Sequence, residues 1–170
     1  MNQFTLKVNV NGEHWNARQE GSGEKTLAGD LKVKAYLPVA SLLPMIGAES
    51  VENFEATFWD SDGAAVGQHV LSVAKKYEEV ELVILANKDS SNPLYQTNSA
   101  KLSKVACTLT DNKMVNVTFN LSFGSLEALE SGTLHQLCTL EDGFFVSLMA
   151  KQGELPLDDN DGGNDGGEEN

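Results

Sequence analysis

The chain has 170 residues, of which 25 are acidic and 12 are basic, and its formal net charge is −13 at pH 7. Proteins that bind duplex DNA normally carry a basic face that neutralises phosphates, so this balance argues against a conventional duplex-DNA binder. Cys107 and Cys138 lie inside apolar runs and predict buried, reduced thiols rather than a disulfide framework. No apolar run has the ~20 residues that span a bilayer, and the first residues lack a secretory signal pattern, so we expect a cytoplasmic protein without a membrane segment.

The chain alternates apolar and polar residues in many places, which is typical of β-strands. Residues 4–10 alternate in this way, and Asn11-Gly12 predicts a two-residue hairpin turn into a return strand over 14–18. Residues 19–30 predict a loop, and the polar stretch 87–99 predicts another. Further strands are predicted over 31–37, 54–59, 69–73, 77–86, 102–109, 115–123 and 144–149.

Two short helices interrupt the strand pattern. Ser41 precedes one of them, in which Pro44 falls in the first turn, where proline is tolerated. Ser125 is a suitable N-cap for the other. The apolar side of the second helix would carry Leu126, Leu129, Leu134 and Leu137.

Residues 31–46 and 115–130 match each other without a gap. Val33 and Val117 are identical, as are Leu37 and Leu121, and each segment is an alternating strand that enters a serine-capped helix. The match predicts a pseudo-duplicated strand-helix-strand unit. The predicted fold is α+β, predominantly antiparallel β with two short helices. We expect one β-rich unit over 1–86, a second over 100–152 packed on the first, and a tail over 153–170.

The tail holds seven of the acids, no base and no aromatic residue. It cannot bury enough apolar surface to offset the entropy of ordering its backbone, so we expect a disordered acidic segment. In composition it resembles the tails of single-stranded-DNA-binding proteins of bacteria and phages. That resemblance implies partner recruitment and competition with DNA for the binding groove. Those tails normally end in an aromatic or bulky apolar residue, whereas this chain ends Glu168-Glu169-Asn170.

The residues where the tail begins form a second candidate for partner binding. Gln152, Leu155 and Leu157 resemble the glutamine-led, leucine-ended peptides through which bacterial replication and repair proteins bind the sliding clamp. The resemblance implies that Gln152 makes polar contacts while the two leucines fill an apolar cleft. The alternative is that these residues end the last strand and pack on the body.

A body that binds single strands needs lysines beside aromatic rings that stack on bases. Tyr36 follows Lys34, and Tyr77 follows Lys75 and Lys76, whereas Trp15 lies near Arg18. An alternating strand also needs aromatic residues for its core, so each ring has two interpretations. The candidate nucleic-acid or partner-binding residues are Lys34, Tyr36, Lys75, Lys76, Tyr77, Lys101 and Lys104.

Catalytic chemistry is poorly supported by the sequence. His14 and His69 lie on predicted strands, where single histidines are usually structural. His135 and Cys138 have a metal-like spacing, but a structural zinc site needs four ligands. We therefore expect no enzyme activity, no catalytic residues, no metal and no cofactor.

The layout of a hairpin, two strand-helix units and a short tail resembles small uncharacterised proteins of tailed bacteriophages. The resemblance implies a phage or mobile-element origin and a location in the cytoplasm of the host bacterium. We expect a non-catalytic accessory protein in DNA replication or recombination that binds single-stranded DNA or a host replication or repair protein. The alternatives are an acidic DNA mimic that inhibits a host enzyme and a structural protein of the virion. The binding partner, the early or late role and the oligomeric state stay open.

Overall fold

A computed structural model describes residues 3–46, 50–67 and 70–151. The described part is mostly antiparallel β-sheet with short helices, which confirms the predicted predominance of antiparallel β. Its elements in chain order are β1 (Gln3–Glu20), β2 (Thr26–Pro38), a 3-10 turn (Val39–Ser41), α1 (Leu43–Ile46), α2 (Val51–Phe58), β3 (Val70–Val73), β4 (Tyr77–Leu85), β5 (Tyr95–Leu109), β6 (Met114–Leu126), α3 (Ala128–Leu137) and β7 (Phe144–Lys151). None of these helices is long and apolar enough to cross a bilayer.

The sheet closes on itself. Its strand order is β3-β5-β4-β7-β1-β2-β6, and a further pairing of β5 with β6 joins the two sides. Every pairing is antiparallel. β1 is long enough to serve two neighbours, because its first half pairs with β7 and its second half with β2. The closed sheet therefore has an inner face that forms the core and an outer face that meets solvent.

The strict alternation of β2 shows why the sequence folds in this way. Leu31, Val33, Ala35 and Leu37 are buried, whereas the residues between them are exposed. Successive side chains of a strand point to opposite faces, so one apolar set fills the interior. Leu42, Leu43 and Met45 near α1, and Leu134 and Leu137 of α3, join the same core.

The predicted hairpin at Asn11-Gly12 is wrong, because β1 runs straight through it with only a register shift between Gly12 and His14. A Cβ at Gly12 would lie 2.8 Å from Cys138 Sγ and 2.9 Å from Cys138 Cα. The Asn11 side-chain amide donates a hydrogen bond to the Glu141 carbonyl oxygen at 2.9 Å. The glycine thus permits close packing of the segment after α3 on the strand, and the asparagine fixes that segment.

The strand predicted over 54–59 is also wrong, because most of it belongs to α2. Ser50 caps this helix, since its Oγ accepts a hydrogen bond from the Asn53 backbone N–H at 3.3 Å. The rings of Phe54 and Phe58, four residues apart, lie 4.8 Å from each other and pack against the core. This i, i+4 contact is a helical spacing that a strand cannot make.

Both predicted helices exist, with different bounds. The first is a 3-10 turn followed by the four residues of α1. The second begins after Glu127, which forms a capping box with Glu130, so Ser125 is not its N-cap. Leu126 ends β6, and Leu129 is 82% exposed instead of facing the core.

The remaining predicted strands are present, and of the strand predicted over 69–73 the structure describes Val70–Val73. Those over 31–37, 102–109 and 115–123 lie within the longer β2, β5 and β6, so the predicted loops 19–30 and 87–99 are shorter than expected. The segments matched in the pseudo-duplication pair with each other, as in Leu31 opposite Leu121, and the duplication stays a prediction. Strands from 1–86 and from 100–151 share the one closed sheet. The tail over 153–170 lies outside the described residues.

Candidate nucleic-acid interface

The outer face of β2, β6 and β5 carries a continuous set of polar side chains. On β2 these residues alternate with core residues, and the same alternation holds along β6. The sheet register places Lys34 opposite Thr118, and Lys32 opposite Asn120. We call this surface the outer polar face; it consists of Lys32, Lys34, Tyr36, Asn116, Thr118, Asn120, Ser122, Lys101 and Ser103.

The register also brings β5 into this surface. Lys101 lies opposite Ser122, which lies opposite Asp30 of β2. Neighbouring strands are about 4.8 Å apart and residues rise about 3.3 Å along a strand, so Lys101 is roughly 12 Å from Lys32 across the face. Lysines far apart in sequence are therefore neighbours on one surface of the sheet.

One carboxylate is shared by two lysines of the outer polar face. Glu13 Oε2 lies 3.5 Å from Lys32 Nζ, and Glu13 Oε1 lies 3.8 Å from Lys34 Nζ. This trio carries a net positive charge within a protein whose total charge is strongly negative. All three side chains are partly exposed to solvent, and such pairs contribute only about 0–1 kcal/mol each. A phosphate group can therefore replace the Glu13 carboxylate beside these lysines with little loss of free energy.

A second ion pair, between Lys101 Nζ and Glu78 Oε1 at 3.3 Å, is more exposed to solvent than the pairs of Glu13. By contrast, Asp30 is held in a denser network on the same face. Its Oδ1 accepts a hydrogen bond from Ser122 Oγ–H at 2.6 Å, and its Oδ2 is paired with the Arg18 guanidinium. This network ties β1, β2 and β6 together, and Glu20 joins it through an ion pair with the Arg18 guanidinium at 2.7 Å. With two carboxylates against one guanidinium, the network carries one net negative charge beside the lysines.

Tyr36 is the aromatic residue of the outer polar face. Its side chain is 58% exposed and lies opposite Asn116. Amide and hydroxyl groups surround it along β6, where Thr118 follows on the same face. An exposed ring among hydrogen-bonding side chains and ammonium groups is the combination on which an unpaired base stacks.

Tyr77 has a different environment, and its predicted role in stacking on bases is wrong. It is 3% exposed, its ring meets Phe4 edge-on at 4.9 Å, and its hydroxyl donates a hydrogen bond to the Met45 carbonyl oxygen at 2.7 Å. Burial raises the pKa of this phenol. Lys75 Nζ lies 4.8 Å from the centre of the ring. Tyr77 is thus a core residue, and Lys75 covers it.

Trp15 is partly buried and packs against the core. Its indole stacks on Phe123 with ring centres 5.8 Å apart, directly over Gly29. The side of the ring that stacks on Phe123 is therefore not available for a base.

Lys75, Lys76 and Lys104 form a group of their own, which we call the edge lysines. Lys104 has a φ of 53° and lies in an irregular part of β5. On one side of it, Leu102 pairs with Tyr77 of β4, and on the other side Val105 pairs with Val73 of β3. The chain between β3 and β4, which contains Lys75 and Lys76, lies across from it. The predicted basic residues thus divide between the outer polar face and this neighbouring group.

Other reactive groups in the described residues offer little chemistry. Nowhere in 3–46, 50–67 and 70–151 do three or more His, Cys, Asp or Glu residues come together as a metal site. Burial raises the pKa of the Cys107 thiol to about 11, and burial also raises the pKa of Cys138. Both thiols are therefore protonated near neutral pH and poor as nucleophiles or metal ligands.

A cavity of about 500 Å³ beside α2 is acidic. Glu52, Glu55 and Asp60 line it, and Lys113 Nζ forms an ion pair with Glu55 Oε2 at 3.1 Å. Three carboxylates against one ammonium group disfavour a nucleic acid here.

The predicted peptide of Gln152, Leu155 and Leu157 lies outside the described residues. The sequence prediction missed the middle of the outer polar face, where Asn116, Thr118 and Asn120 alternate with core residues. The alternation of β6 marks these three residues as outward-facing. Only the pairing of β6 with both β2 and β5 shows that they lie beside the lysines.

Comparisons with known protein families, with curated proteins and with solved structures give no significant match. The outer polar face is therefore the main indication of function.

Proposed function

We propose that this protein is a non-catalytic accessory protein of a phage or mobile element that binds single-stranded DNA on its outer polar face. The observation that carries the proposal is the common placement of Lys34, Tyr36 and Lys101, which share this face with Lys32. The phage origin, the location in the host cytoplasm and the role in replication or recombination rest on the resemblance of the sequence layout.

The chemistry of the face favours a single strand over a duplex. Its few lysines attract phosphates, and its amides and hydroxyls can bond to base edges. Tyr36 can stack only on a base that is not already stacked in a helix. The net charge of −13 repels a long duplex, whose phosphates would approach the carboxylates elsewhere on the surface. Binding should therefore be modest and sensitive to salt.

Tyr36 provides the test that distinguishes stacking from general charge attraction. Fluorescence anisotropy would be measured with a labelled oligothymidylate of about 20 nucleotides and with a duplex of the same length. We expect Tyr36→Ala to raise Kd for the single strand roughly tenfold, because one stacking contact contributes about 1–3 kcal/mol. Tyr36→Phe retains the ring and should bind as the unchanged protein does. Equal binding by all three proteins would contradict stacking on this face.

A polyanion mimic is the second candidate, and one observation favours it. The carboxylates of Glu52, Glu55 and Asp60 lie around one cavity with a single ammonium group. Such a protein would bind a DNA-processing enzyme and would not bind an oligonucleotide. The anisotropy experiment therefore separates the two functions.

A further inference from the structure

Glu13 lies at an irregular point in the backbone of β1. The register of β1 against β2 shifts here, so that Glu13 is the extra residue of a β-bulge. Asn11, two residues before it, lies opposite Lys34. His14, the next residue, lies opposite Lys32. The bulge therefore sets Glu13 between the two positions that face the lysines of β2.

The Glu13 carboxylate contacts both ammonium groups at once, with one oxygen for each. Its Oε2 lies 3.5 Å from Lys32 Nζ, and its Oε1 lies 3.8 Å from Lys34 Nζ. Of the three side chains, that of Glu13 is the least exposed. In the described part of the chain, no other carboxylate pairs with either lysine. Glu13 is thus the anion that the fold itself supplies to these two lysines.

The backbone that carries Glu13 is held by the segment after α3. The Asn11 side-chain amide donates a hydrogen bond to the Glu141 carbonyl oxygen at 2.9 Å. The Asn9 side-chain amide donates another to the Asp142 carbonyl oxygen at 3.1 Å. Because the strand before the bulge is anchored in this way, the positions open to the Glu13 carboxylate are limited to those near the lysines.

The charge balance of this trio decides what an incoming phosphate gains. Two ammonium groups and one carboxylate carry one net positive charge. An internal phosphate of a single strand carries one negative charge, the same as the carboxylate. A phosphate that takes the place of Glu13 therefore exchanges one anion for another, and the attraction of one lysine charge is already used.

We propose that Glu13 is an internal competitor for the phosphate position beside Lys32 and Lys34, and that it limits the affinity of the outer polar face for polyanions. The inference rests on the proposed function for its ligand, since single-stranded DNA is the polyanion that this face would bind. A single strand reaches both lysines only by displacing the carboxylate. Binding is therefore weaker and more readily reversed than the lysines alone would give.

Glu13→Gln tests the proposal, because it removes the charge and retains the shape of the side chain. Binding of a labelled oligothymidylate is measured by fluorescence anisotropy at about 0.1 M salt, where charges are screened beyond about 10 Å. We expect a Kd about fivefold lower for the variant, which corresponds to about 1 kcal/mol. The ratio of the two Kd values should fall towards one as salt is added, because the lost repulsion is screened.

Glu24→Gln is the matched control, since it removes the same charge elsewhere. Glu24 is exposed in the loop between β1 and β2. The strand from Thr26 to Lys32 rises about 3.3 Å per residue, so the loop is roughly 20 Å from the lysine. This control should bind as the unchanged protein does, and equal tightening by both variants would overturn the proposal. Exposed ion pairs add little to stability, so all three proteins should share one urea midpoint.

Inorganic pyrophosphate separates failure of this proposal from failure of the proposed function. Its binding is followed through the backbone NMR signals of Lys32 and Lys34 and needs no nucleic acid. Glu13→Gln should bind pyrophosphate about fivefold more tightly than the unchanged protein. If this holds while neither protein binds oligothymidylate, the proposed function is contradicted and the internal competitor stands. Equal Kd values of the two proteins for either probe, or no binding of pyrophosphate to either, would overturn the proposal.

Discussion

Gly29 lies beneath the indole of Trp15, and its substitution tests whether this ring packs against the core. A Cβ at Gly29 would lie 2.0 Å from Trp15 Cη2 and 2.6 Å from Trp15 Cζ2. These separations are far below van der Waals contact, so the indole must leave its place. It would then lose its stacking on Phe123, whose ring also lies 4.9 Å from that of Tyr95.

The expected cost of Gly29→Ala follows from these contacts. Overpacking of a filled core costs about 1–3 kcal/mol, and a lost aromatic pair costs about 0.5–1.5 kcal/mol. The lower entropy of the unfolded chain with alanine offsets about 0.4–1 kcal/mol. The free energy of unfolding should therefore fall by about 2 kcal/mol. For a chain of this size the melting temperature would fall by about 2–4 °C per kcal/mol.

Urea unfolding followed by circular dichroism measures this change. The matched control is Gly124→Ala on β6, where a Cβ would meet no atom within 4 Å. We expect the control to be neutral or slightly more stable. The tryptophan fluorescence, to which Trp15 and the buried Trp59 both contribute, should shift to the red only in Gly29→Ala, because the displaced Trp15 indole meets more water. If both variants unfold alike, Trp15 does not pack over Gly29 and its packing against the core is refuted.

The remaining predictions concern two other buried contacts. Gly12→Ala should lower the free energy of unfolding by about 1–3 kcal/mol, because both the backbone and the Sγ of Cys138 must move. The control Gly132→Ala, in open space on α3, should raise the free energy of unfolding by up to ~1 kcal/mol. Equal urea midpoints in the two variants would contradict the close approach of Gly12 to Cys138. Burial raises the pKa of Cys107 in the folded protein from 9.0 to about 11, so the folded state holds this proton more tightly. The stabilisation that this proton gives the folded state is complete below pH 9 and is lost as the pH rises towards 11. The difference in the free energy of unfolding between the unchanged protein and Cys107→Ala should therefore shrink by about 1 kcal/mol between pH 8 and pH 10. An advantage that does not change with pH would show that the thiol is not desolvated.

The strands were predictable where one face alone is buried. In β2 the period of two is unbroken from Leu31 to Leu37, and the same pattern marks β6. Asn11-Gly12 misled because its local turn preference is overridden by a contact with Cys138, which is distant in sequence. Residues 54–58 misled because two phenylalanines four apart fit a helix as well as a short apolar strand.

The sequence predicts which types of residue the candidate site contains better than it predicts where those residues lie. Lys34 and Tyr36 share a strand face by simple alternation, so their proximity follows from the sequence alone. Lys101 joins them only through the register of two further strands, which no local pattern specifies. Tyr77 opens β4 where two consecutive exposed glutamates break the period of two, so no alternation marks its face, and the packing of Phe4 and Met45 around it decides that it is buried.

The central claim is that the lysines of the outer polar face hold the phosphates of a single strand. The most direct test is the salt dependence of oligothymidylate binding by the full chain. Three phosphate contacts predict a slope of about −2 for log K against log salt. K32A/K34A removes two ammonium groups and should reduce the slope to about −0.7, whereas K75A/K88A, which removes two lysines outside the face, should leave it at about −2. The claim would be contradicted if the unchanged protein did not bind at low salt, or if both double variants gave the same slope.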